Sequence, residues 1–187
     1  MEENNLLFID FETGGLTHYT HGVCSVAIQL ADSKIQELYF KPQNKIYQQG
    51  ALNVNGLNLE QLFKSGVSRQ NLINMIDDFA KDKDYIIISG WNVDFDIGFL
   101  SQLYKDKKQN LPCPILSFDL MEIAKNNIPK IDKRKKEQLG VENYKLMTVY
   151  KYIFDDLEES KLHNAKYDLQ LTIKLYNFFK NKGFFNQ

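Results

Sequence analysis

The sequence of 187 residues predicts one α/β domain in which a mixed β-sheet is flanked by helices. Three strand-like apolar runs come first, and strands joined by hairpins in this way form an antiparallel set. Strand-like and helix-like segments then alternate, which is typical of parallel strands connected by helices. The chain is long enough to bury a sizeable core, and nothing in it requires a second unit. We therefore expect a single domain over residues 1–187.

The three antiparallel strands are predicted within the first 40 residues. Asn5–Glu12 is a buried apolar run that ends in two acids. Val23–Ala31 and Ile35–Phe40 are two further strand-like runs, and Asp32–Lys34 between them is typical of a short turn. The next segment, Pro42–Gly56, is rich in Gln and Asn and is expected to be irregular.

The rest of the chain alternates between the two element types. Ser68 is a good N-cap for a helix whose apolar residues recur at helical spacing as far as Phe79. Tyr85–Ile88 is a β-branched run of the buried-strand type. The remaining predicted elements are a helix over Phe95–Tyr104, a short strand over Ile115–Phe118, and helices over Tyr144–Phe154 and Ala165–Phe179.

Composition and charge exclude several classes of protein. The formal net charge is −1, so any contact with nucleic acid should be local, because proteins that coat nucleic acid are usually basic. No apolar run is long enough to span a bilayer, and the acidic start has no signal-peptide character. Cys24 and Cys113 lie far apart and form no metal-ligand pair. We therefore expect a cytoplasmic protein with no membrane partner.

Two acids lie near the end of the first predicted strand. Asp10 and Glu12 are two positions apart, so their side chains project from the same face. Ionised carboxylates beside apolar residues are costly unless positive charge meets them, and a divalent cation with oxygen ligands would do so. The alternative is that the strand ends at Glu12 and both acids reach solvent.

A third acid, Asp96, follows the predicted strand Tyr85–Ile88 at the start of the next helix. Functional sites in α/β sheets gather at the carboxyl ends of strands, which would bring Asp96 towards the first acid pair. The alternative is that Asp96 only caps the helix or interacts with its dipole, and we assign that structural role to Asp94.

His163 and Asp168 form the last candidate pair. If Asn164 caps a helix that begins at Ala165, His163 lies in the preceding loop and Asp168 near the end of the first turn. The histidine could then accept a proton from a water molecule while Asp168 binds a metal ion. The alternative is a surface histidine before an ordinary helix. Four acids and one histidine together suit metal-assisted hydrolysis of a phosphodiester.

In their order along the chain, these segments resemble the motifs of the DEDDh exonucleases, the family of the bacterial proofreading exonuclease subunit, RNase T and oligoribonuclease. Phe8–Leu16 is similar to the first motif and Asn92–Asp96 to the second, and His163–Asp168 matches the His-x-Ala-x-x-Asp pattern of the third. Ala51–Leu57 is similar to a segment that many members carry between the first two. A tyrosine-using branch has tyrosine where this chain has Asn164, so the histidine branch is favoured.

The resemblance implies an RNase H-like fold and a 3′-to-5′ exonuclease that releases 5′-mononucleotides from single-stranded DNA or RNA. It implies two divalent cations, Mg²⁺ or Mn²⁺, held by four acids, with His163 as the general base: Asp10, Glu12, Asp96 and Asp168. It also implies a set of residues along the terminal nucleotide, with Leu16 against a base: Thr13, Gly14, Gly15, Leu16 and Asn92.

The chain departs from the family's pattern at three points. Gly14 stands where a second threonine is usual, and Trp91 precedes Asn92 where many members have histidine. The chain also ends at Gln187, without the extended tail through which the proofreading subunit joins its polymerase. None of these departures removes a metal ligand. We expect a stand-alone enzyme, with a polymerase-bound proofreading subunit as the alternative and the oligomeric state open.

Two functions of other classes stay open beside the exonuclease. One is a nucleic-acid-binding module without catalysis, which would have no need for four costly acids. The other is a metal-dependent phosphatase acting on small molecules, which the order of the motifs disfavours. The basic run Lys130–Lys136 is either a contact for phosphates upstream of the cut or a solvated loop.

Overall fold

A five-stranded mixed sheet forms the centre of the computed structural model, which describes residues 2–131 and 139–186. The strands are β1 (Leu6–Thr13), β2 (Val23–Leu30), β3 (Gln36–Tyr39), β4 (Ile86–Gly90) and β5 (Ile115–Asp119), in the order β3-β2-β1-β4-β5. The first three pair antiparallel, and β4 pairs parallel with both β1 and β5. This confirms the predicted fold class, an RNase H-like mixed sheet of three antiparallel strands and then parallel strands.

Helices cover both faces of the sheet. They are α1 (Gln49–Val54), α2 (Leu59–Ser65), α3 (Gln70–Ala80), α4 (Val93–Asp106), α5 (Leu120–Asn127), α6 (Leu146–Ile153) and α7 (Ala165–Asn181). Buried residues of α3 and α4 pack against one face, and those of α5, α6 and α7 against the other. Within the described ranges, none of the helices has the length and apolarity needed to cross a membrane.

The alternation of side chains along β1 determines where its acids point. The odd-numbered residues of Leu7–Phe11 belong to the core with α3 and α4, whereas Leu6 and Phe8 belong to the core with α7. Asp10 and Glu12 continue the even-numbered series, so both face the α7 side of the sheet. Both side chains are half-buried, so the alternative of two acids that simply reach solvent at the end of the strand is wrong.

Three helices were not predicted from the sequence. The segment Pro42–Gly56 was expected to be irregular, yet it contains α1, and α2 follows shortly after it. Each of these two helices buries a single apolar residue, Leu52 or Leu62, so neither shows a helical repeat of apolar positions. The third, α5, begins directly after β5, where Asp119 accepts a hydrogen bond from the Met121 N–H and caps it.

The predicted N-cap of α3 is also wrong. The helix begins at Gln70, and Arg69 occupies the cap position without a side-chain capping bond. Arg69 is buried instead, where its guanidinium donates to the carbonyl oxygens of Lys41 and Val23. Ser68 Oγ still accepts from the Gln70 N–H at 3.2 Å, so the serine stabilises the first turn from one position further out.

Candidate active site

The four predicted acids meet around the carboxyl end of β1. Glu12 experiences repulsion from Asp10, Asp168 and Asp96. Asp10 in turn experiences repulsion from Asp168, and Asp96 from Asp10. Residues separated by as much as 158 positions along the chain therefore share one electrostatic environment. We call these four side chains the acid cluster.

Asp96 reaches the cluster from the first turn of α4. The pairing of β1 with β4 stops at Phe8 opposite Ser89, so the next β1 N–H groups on that edge need other acceptors. Asp96 Oδ1 accepts from the Phe11 N–H at 2.9 Å, and the side chain is only 4% exposed. Asp96 is thus tied to β1 rather than left as a solvent-facing partner of the helix dipole.

Asp168 and His163 are positioned by the start of α7. As predicted, Asn164 caps this helix, since its Oδ1 accepts from the Tyr167 N–H at 3.0 Å. His163 lies exposed in the preceding loop with φ 63°, a left-handed conformation that costs a non-glycine residue roughly 1–2 kcal/mol. Its N–H donates to Asp168 Oδ2 at 3.2 Å, which ties the loop to the acid cluster.

The electrostatics of the cluster favour neutral carboxyl groups or a bound cation. Burial, and then the Asp168 charge, raises the pKa of Asp10 to about 8. Burial and the three other acids raise the pKa of Glu12 to about 9. Burial raises the pKa of Asp168 to about 6 against the opposing effect of His163, and it also raises the pKa of Asp96 well above its usual range. Ionising all four groups requires positive charge close by.

The donor chemistry of the cluster fits a hard divalent cation, which prefers oxygen ligands. Asp168 Oδ1 is buried and has no hydrogen-bond partner among the described residues, so it is available as a ligand. As the side chains are placed, however, no group of three or more His, Cys, Asp or Glu in residues 2–131 and 139–186 has the geometry to hold a metal ion.

The end of β1 and the loop after it carry four of the predicted substrate-binding residues. Thr13 is buried, and its Oγ1 donates to the Gly15 carbonyl oxygen at 2.7 Å. Leu16 follows with its side chain 84% exposed. Asn55 Nδ2 donates to the Thr13 carbonyl oxygen at 3.1 Å, which connects the segment 51–57 to this loop.

Both glycines of the loop are required by close packing. A Cβ on Gly14 would lie 2.8 Å from Tyr47 Cα, and a Cβ on Gly15 would lie 2.2 Å from the His21 ring. A threonine at position 14 would therefore collide with Tyr47. The packing of Tyr47 therefore favours glycine at this position.

A groove of about 850 Å³ runs past the acid cluster. We call it the Leu16 groove. Its lining includes Leu16, Asn92, His163 and Asp168 from the predicted site, together with residues that were not predicted: Trp91, Tyr144, Lys125 and Lys145. Of the predicted basic run, Lys130 lines this groove, and the part from 132 onwards lies outside the described residues.

Asp119 is a further residue of this region that was not predicted. Its Oδ1 accepts from the Asn92 N–H at 2.9 Å and from the Met121 N–H at 2.8 Å. Asn92 has φ 59° and precedes α4, so this bond supports a left-handed residue at the entrance to the helix. An aspartate directly before an apolar helical segment is an N-cap signal that could have identified Asp119.

Comparison with known proteins identifies the fold. No protein-family model matches the chain, and no curated protein matches it in sequence. E. coli exonuclease I in complex with a dT13 oligonucleotide matches with a TM-score of 0.75 at 19% identity, covering 94% of this chain and 40% of that one. The zinc-ion-bound form of the E. coli exonuclease I–single-stranded DNA complex matches with a TM-score of 0.74 at 18% identity, covering 95% and 40%.

The product-bound structure of exonuclease I also matches, with a TM-score of 0.70 at 18% identity, covering 94% of this chain and 43% of that one. This chain thus spans about 40% of the length of the structures that it matches. The identities are low, and the likeness extends over nearly the whole chain. The chain therefore has the RNase H-like fold found in these exonuclease structures.

Proposed function

We propose that residues 1–187 form one exonuclease domain that hydrolyses the phosphodiester bond at the 3′ end of single-stranded DNA or RNA and releases 5′-mononucleotides. The observation that supports this most is the acid cluster, in which four distant carboxylates share one site with raised pKa values. A protein that only binds nucleic acid gains nothing from such repulsion next to its phosphates. The match to exonuclease I complexes that contain oligonucleotides is a second support.

The proposed cofactor is a pair of divalent cations, Mg²⁺ or Mn²⁺, held by Asp10, Glu12, Asp96 and Asp168. When bound, such cations supply Lewis acidity to a phosphoryl displacement and offset the charge that develops in it. The unpartnered Asp168 Oδ1 and the raised pKa values of the cluster support this choice of ligands. The zinc-ion-bound form of exonuclease I supports a divalent cation in general.

His163 is the proposed general base. Its side chain is exposed in a loop whose backbone is tied to Asp168, and both residues line one groove, so the ring would be able to reach a water molecule at the acid cluster. It would remove a proton from the attacking water, and the neighbouring Asp168 charge would stabilise the imidazolium that forms. A positioned base of this kind contributes about 10²–10⁴-fold to the rate.

The loop Thr13–Leu16 and Asn92 are proposed to hold the terminal nucleotide. Leu16 is an exposed apolar side chain at the groove, where it would contact the terminal base whatever the identity of that base. Lys125, Lys130 and Lys145 line the same groove and would neutralise phosphates of the strand. Apolar contact at the terminal base and positive charge along the backbone are the two requirements for holding a single strand.

The proposal is tested by digesting DNA and RNA strands labelled at either the 3′ or the 5′ end, with added Mg²⁺ or Mn²⁺ and with excess chelator. We expect a 3′ label to be released at once as a mononucleotide, and a 5′-labelled strand to shorten stepwise. Chelator should stop both reactions, and added metal should restore them. Cleavage of a circular strand, activity in excess chelator, or binding without cleavage would each contradict the proposal.

A further inference from the structure

The side-chain amide of Asn164 connects an edge strand of the sheet to the loop that carries His163. Its Oδ1 accepts from the Tyr167 N–H at 3.0 Å, and its Nδ2 donates to Glu37 Oε1 at 3.3 Å. Only this orientation of the amide satisfies both partners, because the flipped amide would direct its NH₂ group at the Tyr167 N–H. The cap of α7 and the contact to Glu37 therefore use opposite ends of one side chain.

The strand register places Glu37 on the same sheet face as the acid cluster. Glu37 in β3 lies opposite Ala27 in β2, and Ala27 lies opposite Asp10 in β1. Residues opposite one another in neighbouring strands share a face, so Glu37 and Asp10 both lie on the α7 side. Glu37 is half-buried there, and its charge contributes to the electrostatics of Glu12.

Tyr39 strengthens the same connection. It lies two residues after Glu37 on β3 and is half-buried, and both Glu37 and Asn164 influence the pKa of its hydroxyl, which burial raises. Two residues of one edge strand thus lie near the amide that begins α7. Nothing in the proposed chemistry uses Glu37 or Tyr39, although both lie close to the acid cluster.

We infer that Glu37 is a positioning residue, which acts through Asn164 to hold the loop of His163 in the orientation that presents its imidazole to the acid cluster. Among the described residues no hydrogen bond reaches the imidazole ring, so its direction depends on the backbone around it. That backbone is left-handed at His163 and is held by Asp168 on one side and by Asn164 on the other. The inference rests on the proposed function of His163 as the base.

The Asn164→Asp substitution separates positioning from helix capping. Aspartate caps a helix as well as asparagine does, so we expect the melting temperature to stay close to that of the wild type. It lacks the NH₂ donor and places a second carboxylate against Glu37. We expect kcat at saturating metal to fall about 10- to 100-fold, as for a misplaced catalytic group, while KM changes little.

Two double variants distinguish positioning from a simple effect of charge. In Asn164→Asp/Glu37→Gln, the glutamine amide donates to the introduced carboxylate, so the connection returns with reversed polarity and kcat should recover. Asn164→Asp/Glu37→Ala has the same net charge but no donor, and kcat should stay low. Equal recovery in both double variants would overturn the inference in favour of a charge effect. The single variant Glu37→Gln keeps an acceptor for Asn164 and should keep kcat near that of the wild type.

A second measurement does not depend on activity. The NMR signals of the His163 ring, assigned by their loss in His163→Ala, should shift or broaden in Asn164→Asp and in the alanine double variant. They should return in the glutamine double variant. The positioning role would be overturned if Asn164→Asp kept the wild-type kcat and unchanged ring signals. If Asp10→Asn were inactive in the same assay, the proposed function would remain intact. If the wild type cleaves no strand, the proposed function fails, and the ring signals still decide whether Glu37 orients the loop.

Discussion

At the scale of single residues, the acid cluster is costly to the folded protein. Asp10 and Glu12 project from one strand into partly buried space, and Asp96 and Asp168 approach them from two helices. Each ionised carboxylate loses hydration and meets others of the same charge, so its proton is held more tightly than in the unfolded chain. Such an arrangement is typical of a functional site rather than of a stabilising one.

This cost predicts that the metal-free protein becomes less stable as pH rises. The pKa of Asp10 is raised from 3.8 to about 8, and that of Glu12 from 4.5 to about 9. For each group, the folded state binds more protons than the unfolded state at any pH between its ordinary pKa and its raised pKa. Linkage then requires the free energy of unfolding to fall as pH rises through this window. Thermal unfolding in chelator from pH 4 to 9 measures it.

Asp10→Asn provides the matched variant for that experiment. It removes one titrating group without changing the size of the side chain, so its stability should decline less with pH and exceed that of the wild type at pH 8. Added Mg²⁺ should stabilise the wild type more at pH 8 than at pH 5, because the ligands must lose protons to bind it. Equal pH dependence in the two proteins would contradict the raised pKa of Asp10.

His163→Asn is predicted to lower kcat by about 10²–10⁴-fold. Asparagine tolerates the left-handed backbone that the structure shows at this position, so the loop should keep its conformation. The melting temperature should therefore not change, and metal affinity should change little. His18→Ala is the control, because the His18 ring packs edge-on against Phe99 and Tyr19. A normal rate in His163→Asn would exclude His163 as the base.

At the scale of elements, the site is built from connections at the carboxyl ends of β1, β4 and β5. The loop after β1 carries Leu16, Asn92 and Asp96 lie just before α4 and in its first turn, and Asp119 is the last residue of β5. Asp119 links α4 and α5, because one of its carboxylate oxygens accepts from the Asn92 N–H before α4 and from the Met121 N–H in the first turn of α5. The relative position of α4 and α5 at the groove thus depends on one side chain.

Asp119→Ala is predicted to destabilise the protein by about 1–3 kcal/mol, since it removes a helix cap and leaves two N–H groups without their acceptor. Asp119→Asn keeps an acceptor oxygen and should cost clearly less. Urea unfolding measures both. Equal losses in the two variants would show that the charge of Asp119, and not its hydrogen bonds, stabilises these connections.

Leu16→Ala is predicted to weaken substrate binding without affecting the fold. The side chain is 84% exposed, so its removal leaves no cavity and the melting temperature should not change. Loss of about 1 kcal/mol of apolar contact with the terminal base would raise KM about fivefold. Phe63→Ala is the control, because Phe63 is 69% exposed on α2 and does not line the groove. An unchanged KM in Leu16→Ala would remove Leu16 from the binding site.

At the scale of the whole molecule, charge is nearly balanced. The formal net charge is −1, yet three lysines among the described residues line the Leu16 groove beside the acid cluster: Lys125, Lys130 and Lys145. Binding to duplex is dominated by neutralisation of many phosphates along two strands, for which this balance is unfavourable. A few lysines in one groove suit contact with a short stretch of a single strand.

We therefore predict that single strands and 3′ overhangs are trimmed at least several-fold faster than blunt duplexes. A terminal nucleotide must leave its partner to enter the site, and unpairing costs a few kcal/mol. Rates should fall only modestly with added KCl, because few phosphates are contacted. Rates on matched single-stranded, overhanging and blunt substrates over a range of salt test this. Equal rates on blunt duplex and single strand would contradict it.

The sequence alone predicted those features that depend on neighbours along the chain. The apolar run Asn5–Glu12 indicated a buried strand, the spacing of two positions indicated that Asp10 and Glu12 share one face, and the order of apolar runs indicated the mixed sheet. The cap of α7 by Asn164 was also predicted, because capping joins residues three positions apart. Periodicity and capping are short-range effects, so a local pattern suffices to reveal them.

Only the tertiary structure decided which distant groups meet. The bond from Phe11 to Asp96 spans 85 positions, and that from Asn164 to Glu37 spans 127. Arg69 is a further example. Its side chain extends from the N-terminal end of α3 and donates to the carbonyl oxygens of Lys41 and Val23, whereas the local sequence predicted that the preceding residue, Ser68, caps the helix. These contacts depend on how helices pack on the sheet and on which strand edges remain unpaired, and no local pattern encodes either. Strand order and packing therefore determine how the acids interact, whereas the sequence by itself indicates only which acids are present.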